Sequence, residues 1–451
     1  MATSGAWRER SSSLPESLRL DAAAAQPQLP DPLREFSPDL STPLPPRNEF
    51  GPLREPLFRT LWIAAVVSYT GTWMQNVGAA WLMTSLTMSP LMVGLVQAAG
   101  SIAVFLVVLP AGALADLVDR RKLLLFTQSW MVLAAVALGA LTLAGKITPT
   151  LLLVLTFLMG FGAVLNDPAW QAITPEVVSP RNFATGVAWN SAGFNVARAI
   201  GPALGGLIIA AAGSGIAFLL NAVSFFGVIY FLYRWKRQPP AVSLSTRRMM
   251  STMFDGVRHM RASQPVKAVL VRSAVFSISA GALPALLPLL AHPFGSKGYG
   301  LLLGFFGVGA LAGAAIMPLL RRYVSSDALV SMSTVVFAFT TFAAPEWCTF
   351  SLLSLTMFVA GVAWIQILAS LNVAAQTMCP SHMRARAISM YLLVLQGGLA
   401  GGAALWGEIA ELVGTPRSLT YAAIALLIGL PAAAWFKLHS ADLQPSTAGM
   451  D

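Results

Sequence analysis

Long apolar blocks alternate with short polar clusters along most of this chain. From residue 57 onward, predominantly apolar runs are broken by charged residues, prolines and glycines. An α-helix of about twenty apolar residues crosses the ~30 Å hydrocarbon core of a bilayer, so each block predicts one membrane-spanning helix. Dividing the chain at the polar clusters predicts twelve such helices: 57–83, 90–115, 122–144, 149–174, 184–212, 215–234, 268–291, 298–320, 326–345, 347–374, 386–412 and 418–437.

A polar, basic stretch at 235–267 divides the twelve blocks into two sets of six. We therefore predict an N-terminal six-helix half at 51–234 and a C-terminal six-helix half at 268–437, joined by this cytoplasmic linker. Residues 1–50 are rich in proline and lack apolar periodicity, which predicts a disordered cytoplasmic tail. Residues 438–451 are predicted to be a short cytoplasmic C-terminal tail. The predicted fold class is an all-α polytopic membrane protein.

Lysine and arginine are concentrated on alternate connections between the blocks. One set of connections holds the clusters at 120–122 and 321–322 and the basic linker, whereas the other set holds only Lys146, Lys297 and Arg417. Cationic residues close to a span are retained on the cytoplasmic side of a membrane. Both termini are therefore predicted to be cytoplasmic, in a multi-pass protein of the cytoplasmic (inner) membrane.

Glycines recur in the two halves at nearly constant offsets. Gly94 near the start of the second block precedes Gly300 in the eighth by 206 residues, and Gly206 in the fifth block precedes Gly407 in the eleventh by 201. Each match is weak by itself, since the chain has 37 glycines. Together they predict two similar, pseudo-symmetric six-helix bundles, the arrangement of proteins whose central site alternates its access between two sides.

Composition restricts the class of function. The chain is 56% hydrophobic and 11% charged, with a mean hydropathy of +0.68, which excludes a water-soluble globular protein. Its formal charge of +10 lies in short clusters at block ends without a recognition motif, so no nucleic acid partner is expected. Two cysteines and four histidines have no ligand spacing, and no catalytic or phosphate-binding constellation occurs. We therefore expect no metal, no cofactor and no enzymatic activity.

The connection between the second and third blocks reads GALADLVDRRK at 112–122. It resembles the loop signature of the major facilitator superfamily, although Leu117 and Asp119 depart from the usual arginine and glycine. In that superfamily the loop is a cytoplasmic latch that stabilises the outward-facing state. The resemblance implies this latch role for four residues: Gly112, Asp116, Arg120 and Arg121. The alternative is that the basic residues only anchor the connection on the cytoplasmic side.

The fifth block contains GPALGG at 201–206. It is similar to the G-P-x-x-G-G element that marks proton-coupled exporters of the superfamily, matched at Gly201, Pro202, Gly205 and Gly206. The proline kinks a helix and the small residues allow a neighbouring helix to come close, so a generic packing face is the alternative. Over 50–437 the chain resembles the drug:proton antiporter-like branch described as transmembrane secretion effectors, which holds the enterobactin exporter and bacterial drug exporters.

Two ionisable residues lie well inside predicted spans, Asp167 in the fourth and Arg198 in the fifth. A charge within the membrane is costly and is a functional-site hypothesis by default. We expect both to face a central cavity, with Asp167 as a proton-coupling or gating carboxylate and Arg198 as its partner. The alternative makes Arg198 a structural strut and Asp167 a gate that keeps its protonation state. Arg272 lies near the cytoplasmic end of the seventh block, four residues after its start, and is expected to snorkel to the interface as an anchor.

Uncharged polar side chains inside spans are expected to face the bundle rather than the lipid. Six of them are candidates for lining the cavity and hydrogen bonding to a substrate: Gln75, Asn76, Gln97, Asn195, Gln366 and Gln396.

The residues and the resemblance together predict a secondary active transporter that exports an amphipathic small molecule, such as a siderophore or a drug, by alternating access. Protons are the expected coupling ion, and the substrate and the lipid bilayer are the expected partners. A monomer is expected because one chain contains both halves of a pathway. The alternatives are uptake of a metabolite by proton symport and a non-transporting receptor or lipid-handling protein.

Overall fold

The computed structural model describes the chain over residues 50–235, 264–347, 349–377 and 384–431, with side chains throughout except at 108–117, 264–265 and 384–386. These ranges are helical and contain no strand. The long helices are α1 (Pro56–Leu86), α2 (Pro90–Leu117), α3 (Arg120–Leu143), α4 (Pro149–Val177), α5 (Phe183–Arg234), α6 (Gln264–Ala280), α7 (Ala282–Leu290), α8 (Gly295–Tyr323), α9 (Ser326–Ala343), α10 (Phe350–Thr377), α11 (Arg384–Val413) and α12 (Thr415–Ile428). Nine helical stretches in the described ranges are long and apolar enough to cross a membrane, so this is a multi-pass membrane protein.

The helix ends lie within a few residues of the predicted block ends. The seventh block differs more: it begins at Gln264 instead of 268, and it is divided into α6, which ends at Ala280, and α7, which begins at Ala282. Residues 1–49, most of the linker and residues 432–451 lie outside the described residues, and with them nearly all of the predicted tails.

Local sequence signals explain where several helices start. Pro56 and Pro149 occupy the first helical positions of α1 and α4, where a missing N–H costs nothing. Asp119 caps α3, because its side chain accepts a hydrogen bond from the backbone N–H of Lys122 at 3.0 Å. The aspartate that departs from the family loop signature thus stabilises the start of α3.

Helix α5 is divided by a break at Gly213. This residue has φ 82° and ψ 165°, a conformation that residues with a Cβ rarely adopt. After the break the chain returns along the first helices: a Cβ added at Gly78 would lie 2.8 Å from the Phe218 ring, and one added at Gly139 would lie 2.7 Å from the Leu219 side chain. The break separates two stretches, 183–212 and 214–234, that are each long enough to cross a bilayer.

Aromatic residues fill the core of the second half of the chain. Phe276 of α6, Phe337 of α9 and Trp364 of α10 lie with their ring centres 5.5–5.7 Å apart, and each is buried. Edge and tilted contacts of this kind add to the free energy gained by burying apolar surface. They fix the packing of α6 against α9 and α10.

Arg272 of α6 forms an ion pair with Asp327 at the start of α9. The expectation that Arg272 snorkels to the interface is wrong, because its side chain is only 5% exposed and its guanidinium donates to the Asp327 carboxylate. An Arg side chain buried in this way requires a nearby carboxylate.

Replacing Asp327 with asparagine is expected to destabilise the protein by about 2 kcal/mol, between ~1 kcal/mol for an exposed pair and ~3–5 kcal/mol for a fully buried one. The carboxylate is partly exposed, which places the effect below the upper limit. The double variant Arg272→Met/Asp327→Asn should be more stable than Asp327→Asn alone, because no buried charge is left unpaired. Melting temperatures in detergent measure this; equal melting temperatures for wild type and Asp327→Asn would show that the pair contributes nothing.

Glu55, directly before α1, ties the start of this helix to the connection between α4 and α5. Its carboxylate accepts hydrogen bonds from the Ser179 hydroxyl (2.7 Å), the Ser179 backbone N–H (3.0 Å) and the Asn182 side-chain amide (2.7 Å). Partial burial acts to raise the pKa of Glu55, but the hydrogen bonds from Asn182 and Ser179 outweigh it and leave this pKa below its usual value of 4.5.

This lowered pKa makes the contribution of Glu55 to stability depend on pH. Because the folded pKa lies below the unfolded one, the contribution is fully present above pH 4.5 and is lost as the pH falls through the folded pKa. Glu55→Gln should therefore lower the melting temperature at neutral pH and have no further effect once the wild-type carboxylate is protonated. Melting curves of both proteins from neutral to acidic pH would contradict this if their difference were constant.

Candidate functional site

A cavity of about 480 Å³ lies between the first and second halves of the chain. Its walls come mainly from α1, α2, α4 and the first part of α5, and the second half adds residues of α7, α8 and α11. The volume lies within the range of sites that enclose drug-sized ligands, about 300–1,000 Å³. The cavity is therefore large enough to be a substrate site.

Asp167 and Arg198 are the charged residues that line this cavity in the described part of the chain. The Asp167 side chain is exposed to the cavity, and the Arg198 side chain is half-buried. No nitrogen of Arg198 lies within 4 Å of the Asp167 carboxylate, although both side chains are described. The guanidinium carbon of Arg198 lies instead 5.8 Å from the ring centre of Trp73, in a cation–π contact.

The backbone next to Asp167 is set by the sequence NDPAW in α4. Pro168 lies inside the helix, has no N–H and so leaves the carbonyl of Val164 without its helical donor. Trp170, one turn further along, lies on the same face as Asp167. The same helix face therefore presents both a carboxylate and an indole to the cavity.

Four aromatic side chains line the same cavity. Their ring centres form a continuous row, with 6.3 Å from Trp170 to Tyr69, 5.3 Å from Tyr69 to Phe194 and 6.3 Å from Phe194 to Trp73. None of these four residues was among the candidates predicted from the sequence. Their spacing in the sequence could have indicated a shared helix face, since Trp170 is three residues from Asp167 and Phe194 is four residues from Arg198.

A buried polar network lies behind Asp167. Asn166 accepts hydrogen bonds from the Thr127 hydroxyl and from the Gln128 side-chain amide, both at 3.1 Å. Gln128 lines the cavity and is 3% exposed, and its Oε1 has no hydrogen-bond partner among the described residues. A buried acceptor of this kind is costly unless a ligand or water satisfies it.

The six predicted polar candidates are placed differently from one another. Four of them line the cavity: Gln75, Asn76, Gln97 and Gln396. Gln75 also accepts a 2.5 Å hydrogen bond from Asn221. Asn195 and Gln366 do not line it, because Asn195 donates to the Ser191 carbonyl of its own helix and Gln366 donates to the Gly313 carbonyl between α10 and α8.

The GPALGG stretch at 201–206 in α5 packs against two different helices. A Cβ added at Gly201 or Gly205 would contact α1, at 2.6 Å from Trp73 Cβ and 2.9 Å from Met74 Cα respectively. At Gly206 it would contact α8, at 2.5 Å from the Ser296 carbonyl oxygen. Pro202 lines the cavity. The element therefore packs closely against α1 and also carries one contact between the halves.

The halves meet backbone to backbone at two places, which we name the α5–α8 crossing (Gly206 and Gly300) and the α2–α11 crossing (Gly94 and Gly407). A Cβ at Gly300 would lie 2.4 Å from the Pro202 carbonyl oxygen and 2.8 Å from Gly206 Cα. A Cβ at Gly94 would lie 2.6 Å from a carbonyl oxygen of α11, and one at Gly407 would lie 3.0 Å from a Cα of α2. These are the glycines that recur between the halves in the sequence.

Both crossings lie near the first turns of α2 and α8, far from the basic clusters at 120–122 and 321–322; we call this the opposite end, and the end with the two clusters the basic end. Two further contacts join the halves there. Trp81 stacks on His292 and Tyr299, with ring centres 5.8 and 6.1 Å apart. Glu411 accepts hydrogen bonds from the Ser89 hydroxyl (2.6 Å) and the backbone N–H of Leu91 (3.3 Å) at the start of α2. The cavity is thus closed off at the opposite end.

At the basic end, the arginines of the predicted latch bind other helices of the first half. Arg120 forms a 2.9 Å ion pair with Glu176 near the end of α4, and Arg121 donates to the carbonyls of Leu232 and Tyr233 at the end of α5. Glu176 could not be predicted as this partner, because nothing in the local sequence pattern links it to a residue 56 positions away. The side chains of Gly112 and Asp116 lie outside the described residues.

Comparison with known proteins identifies similar membrane transporters. A family model for transmembrane secretion effectors matches residues 47–449. The enterobactin exporter EntS of Escherichia coli is 24% identical over 379 residues, 83% of this chain and 90% of its own length. The multidrug efflux pump Tap of Mycolicibacterium fortuitum is 25% identical over 408 residues, 86% and 98% of the two chains. The staphyloferrin A transporter of Staphylococcus aureus is 24% identical over 277 residues, 60% and 68% of the two chains.

Solved transporter structures share the fold at lower identity. The nucleoside transporter NupG has a TM-score of 0.64 and 16% identity, over 85% of this chain and 99% of its own. A bacterial homologue of the human lysosomal transporter Spinster, in an inward-facing and unoccupied conformation, has a TM-score of 0.66 and 13% identity, over 85% and 98% of the two chains. Likeness at this level of identity concerns the fold alone.

Proposed function

The chain belongs to the transmembrane secretion effector family of the major facilitator superfamily and is a membrane transporter, and we propose that it exports an amphipathic small molecule by alternating access, driven by protons. The observation that carries this proposal is the cavity between the halves. It presents two charged side chains and four aromatic rings, and it is closed at one end by contacts between the halves. The names of EntS and Tap support export as the direction.

We propose twelve membrane-spanning helices in two sets of six. Nine stretches meet the length and hydropathy criterion in the described ranges. The other three in the proposal are α1, α12, of which the described part is short, and the second part of α5 beyond Gly213. The related glycine pairs of the two crossings support this arrangement, since a pseudo-symmetric pair of halves would produce each crossing twice.

Alternating access in this proposal is a rocking of the two halves around the cavity. The two crossings close the opposite end, and the cycle requires them to separate so that the substrate can leave. The predicted orientation makes the basic end cytoplasmic, which places the closed end outside. The chain would work in the inner membrane as a monomer with both termini in the cytoplasm.

Asp167 is the proposed site of proton coupling. It is the carboxylate that lines the cavity among the described residues, and it is exposed there without a cationic partner within 4 Å. A carboxylate in that position can take up a proton from one side and release it on the other as the halves rock. Arg198 is proposed to hold the substrate instead of pairing with Asp167.

The loop at 112–122 is proposed to act as the latch. Arg120 and Arg121 already tie it to the ends of α4 and α5, so motion of these ends would be transmitted to α2 and α3. Gly112 and Asp116 keep their proposed latch roles from the family resemblance. In this proposal the loop makes the first half move as one body.

Flux measurements in everted membrane vesicles test the function. With the lumen acidified, vesicles containing the protein should accumulate at least one of a catecholate siderophore, a macrolide, ethidium and ciprofloxacin, and a proton ionophore should abolish the accumulation. Vesicles without the protein are the control. Flux in the reverse direction with the proton gradient would support metabolite uptake by symport, and no flux in either direction with any compound would contradict a transporter of this class.

A further inference from the structure

The aromatic row ends at Trp73, which contacts Arg198, and begins at Trp170, which shares a helix face with Asp167. Trp170 begins the row and lies one helical turn from Asp167 on α4. Trp73 ends the row, and its ring carries the guanidinium of Arg198. A flat ligand lying along the rings would therefore meet a carboxylate at one end and a cation at the other.

The end at Asp167 is built to accept hydrogen bonds. The Asp167 carboxylate is exposed to the cavity, whereas the Oε1 of Gln128, which has no partner among the described residues, is buried and its amide nitrogen donates to Asn166. Both residues line the cavity, and the Gln128 side chain is almost completely buried. An ammonium group carries the N–H donors and the positive charge that the Asp167 carboxylate lacks.

The end of the aromatic row at Arg198 can donate hydrogen bonds but cannot accept them. A guanidinium has five N–H donors and no acceptor, and here it has no carboxylate within 4 Å among the described residues. Its contact with the Trp73 ring holds it in place and leaves it able to bind a carboxylate. An acidic group on the ligand would supply the missing anion.

A ligand with only one charge would leave the other end of the row unpaired. Inside a membrane protein an unpaired charge that loses water on ligand binding is penalised, whereas a paired one is not. The two cavity charges sum to zero, so a ligand that is neutral overall but charged at both ends satisfies each of them. The aromatic rings between them favour a flat, unsaturated body.

We propose that the transported substrates are elongated aromatic zwitterions, with a basic amine bound at Asp167 and an acidic group bound at Arg198. This inference rests on the proposed function and narrows its substrate class. It also gives each of the two charges, which are not paired with each other, a partner on the substrate.

Binding measurements with a matched set of compounds test this substrate class. Ciprofloxacin carries a protonated piperazine and a carboxylate at opposite ends of a quinolone ring; its methyl ester is a cation and its N-acetyl derivative an anion. Equilibrium dialysis against the purified protein in detergent, read by quinolone fluorescence, gives each Kd. We expect ciprofloxacin to bind at least about tenfold more tightly than either derivative, equivalent to ~1.4 kcal/mol.

Two variants should each remove the preference for ciprofloxacin over one of its two derivatives. Arg198→Gln should bind ciprofloxacin as weakly as the ester and keep its affinity for the ester, whereas Asp167→Asn should bind ciprofloxacin as weakly as the N-acetyl derivative and keep its affinity for that anion. The retained affinity demonstrates that each variant is folded. Arg417→Gln and Glu408→Gln, exposed charges that do not line the cavity, are matched controls and should bind as wild type.

The outcomes separate this inference from the proposed function. Equal affinity of wild type for all three compounds, no binding of any at millimolar concentration, or an equal loss for all three in both variants would overturn the zwitterion class. If vesicles still export another amphiphile in that case, the transporter proposal stands. Charge-selective binding of ciprofloxacin without any proton-driven flux would support the substrate class and contradict export.

Discussion

Gly300→Ala is expected to reduce transport at least tenfold while the protein is still made and inserted. The added Cβ would lie 2.4 Å from the Pro202 carbonyl oxygen and 2.8 Å from Gly206 Cα. Both are backbone atoms, so the contact can be relieved only by moving α5 and α8 apart. That separation disfavours the conformation closed at the opposite end, which a cycle of alternating access must visit.

Gly401→Ala in α11 is the matched control, because a Cβ there would have no neighbour within 4 Å. It should transport as wild type. Gly94→Ala at the α2–α11 crossing should behave like Gly300→Ala, since the added Cβ would lie 2.6 Å from the Ala403 carbonyl oxygen. Initial rates of uptake into everted vesicles, normalised to the amount of protein, measure all three. Wild-type rates for Gly300→Ala and Gly94→Ala would remove the crossings from the transport cycle.

Asp167→Asn is expected to abolish accumulation of substrate driven by a proton gradient. Asparagine has nearly the same shape but cannot exchange a proton, so the coupling site is lost while the cavity keeps its volume. Movement of substrate down its own gradient should remain at substrate concentrations that saturate the weakened site, because the halves can still rock. The wild-type dependence of export on pH should disappear in this variant.

Proteoliposomes with an imposed pH gradient, compared with counterflow at equal pH, separate these two effects. Glu408→Gln is the control for removing a carboxylate from the second half outside the cavity, and it should keep gradient-driven accumulation. An Asp167→Asn protein with normal expression and unchanged dependence on pH would contradict proton coupling at this residue. Loss of both gradient-driven and downhill movement would instead assign Asp167 to gating.

Helix positions follow closely from the sequence because the apolar blocks and their polar ends are local signals. The predicted turn between the fifth and sixth blocks coincides with the break at Gly213, where glycine is needed for a positive φ. The two charges facing the cavity were found by the same logic, since Asp167 and Arg198 stand out in apolar surroundings. A charged residue inside a membrane span has a high free-energy cost, so its presence in the sequence indicates a functional role.

Pairings between distant residues could not be predicted in this way. The contact of Arg120 with Glu176 and that of Arg272 with Asp327 depend on which helices are neighbours. Gln366 looks like a cavity residue in the sequence, yet its side chain is used between α10 and α8. A polar residue inside a span has a partner, but its identity depends on packing that the local pattern does not contain.

The aromatic row illustrates a different limit. Tyr69, Trp73, Trp170 and Phe194 come from three helices and are ordinary residues for a membrane span, so none of them stands out by itself. Only their positions three or four residues from each other or from a charge pointed to a common face. The glycines of the crossings were easier to find, because the same requirement for close backbone contact occurs in both halves.

A reversible cross-link at the α5–α8 crossing tests most directly whether the halves must separate during transport. A Cβ added at Gly304 would lie 3.5 Å from the Cβ of Ala203, within the ~3.5–4.5 Å that a disulfide spans. In a chain with Cys348 and Cys379 replaced by serine, Ala203→Cys/Gly304→Cys should lose transport on oxidation and regain it on reduction, while each single variant is unaffected by either treatment. Undiminished transport by fully cross-linked protein would contradict alternating access around this cavity.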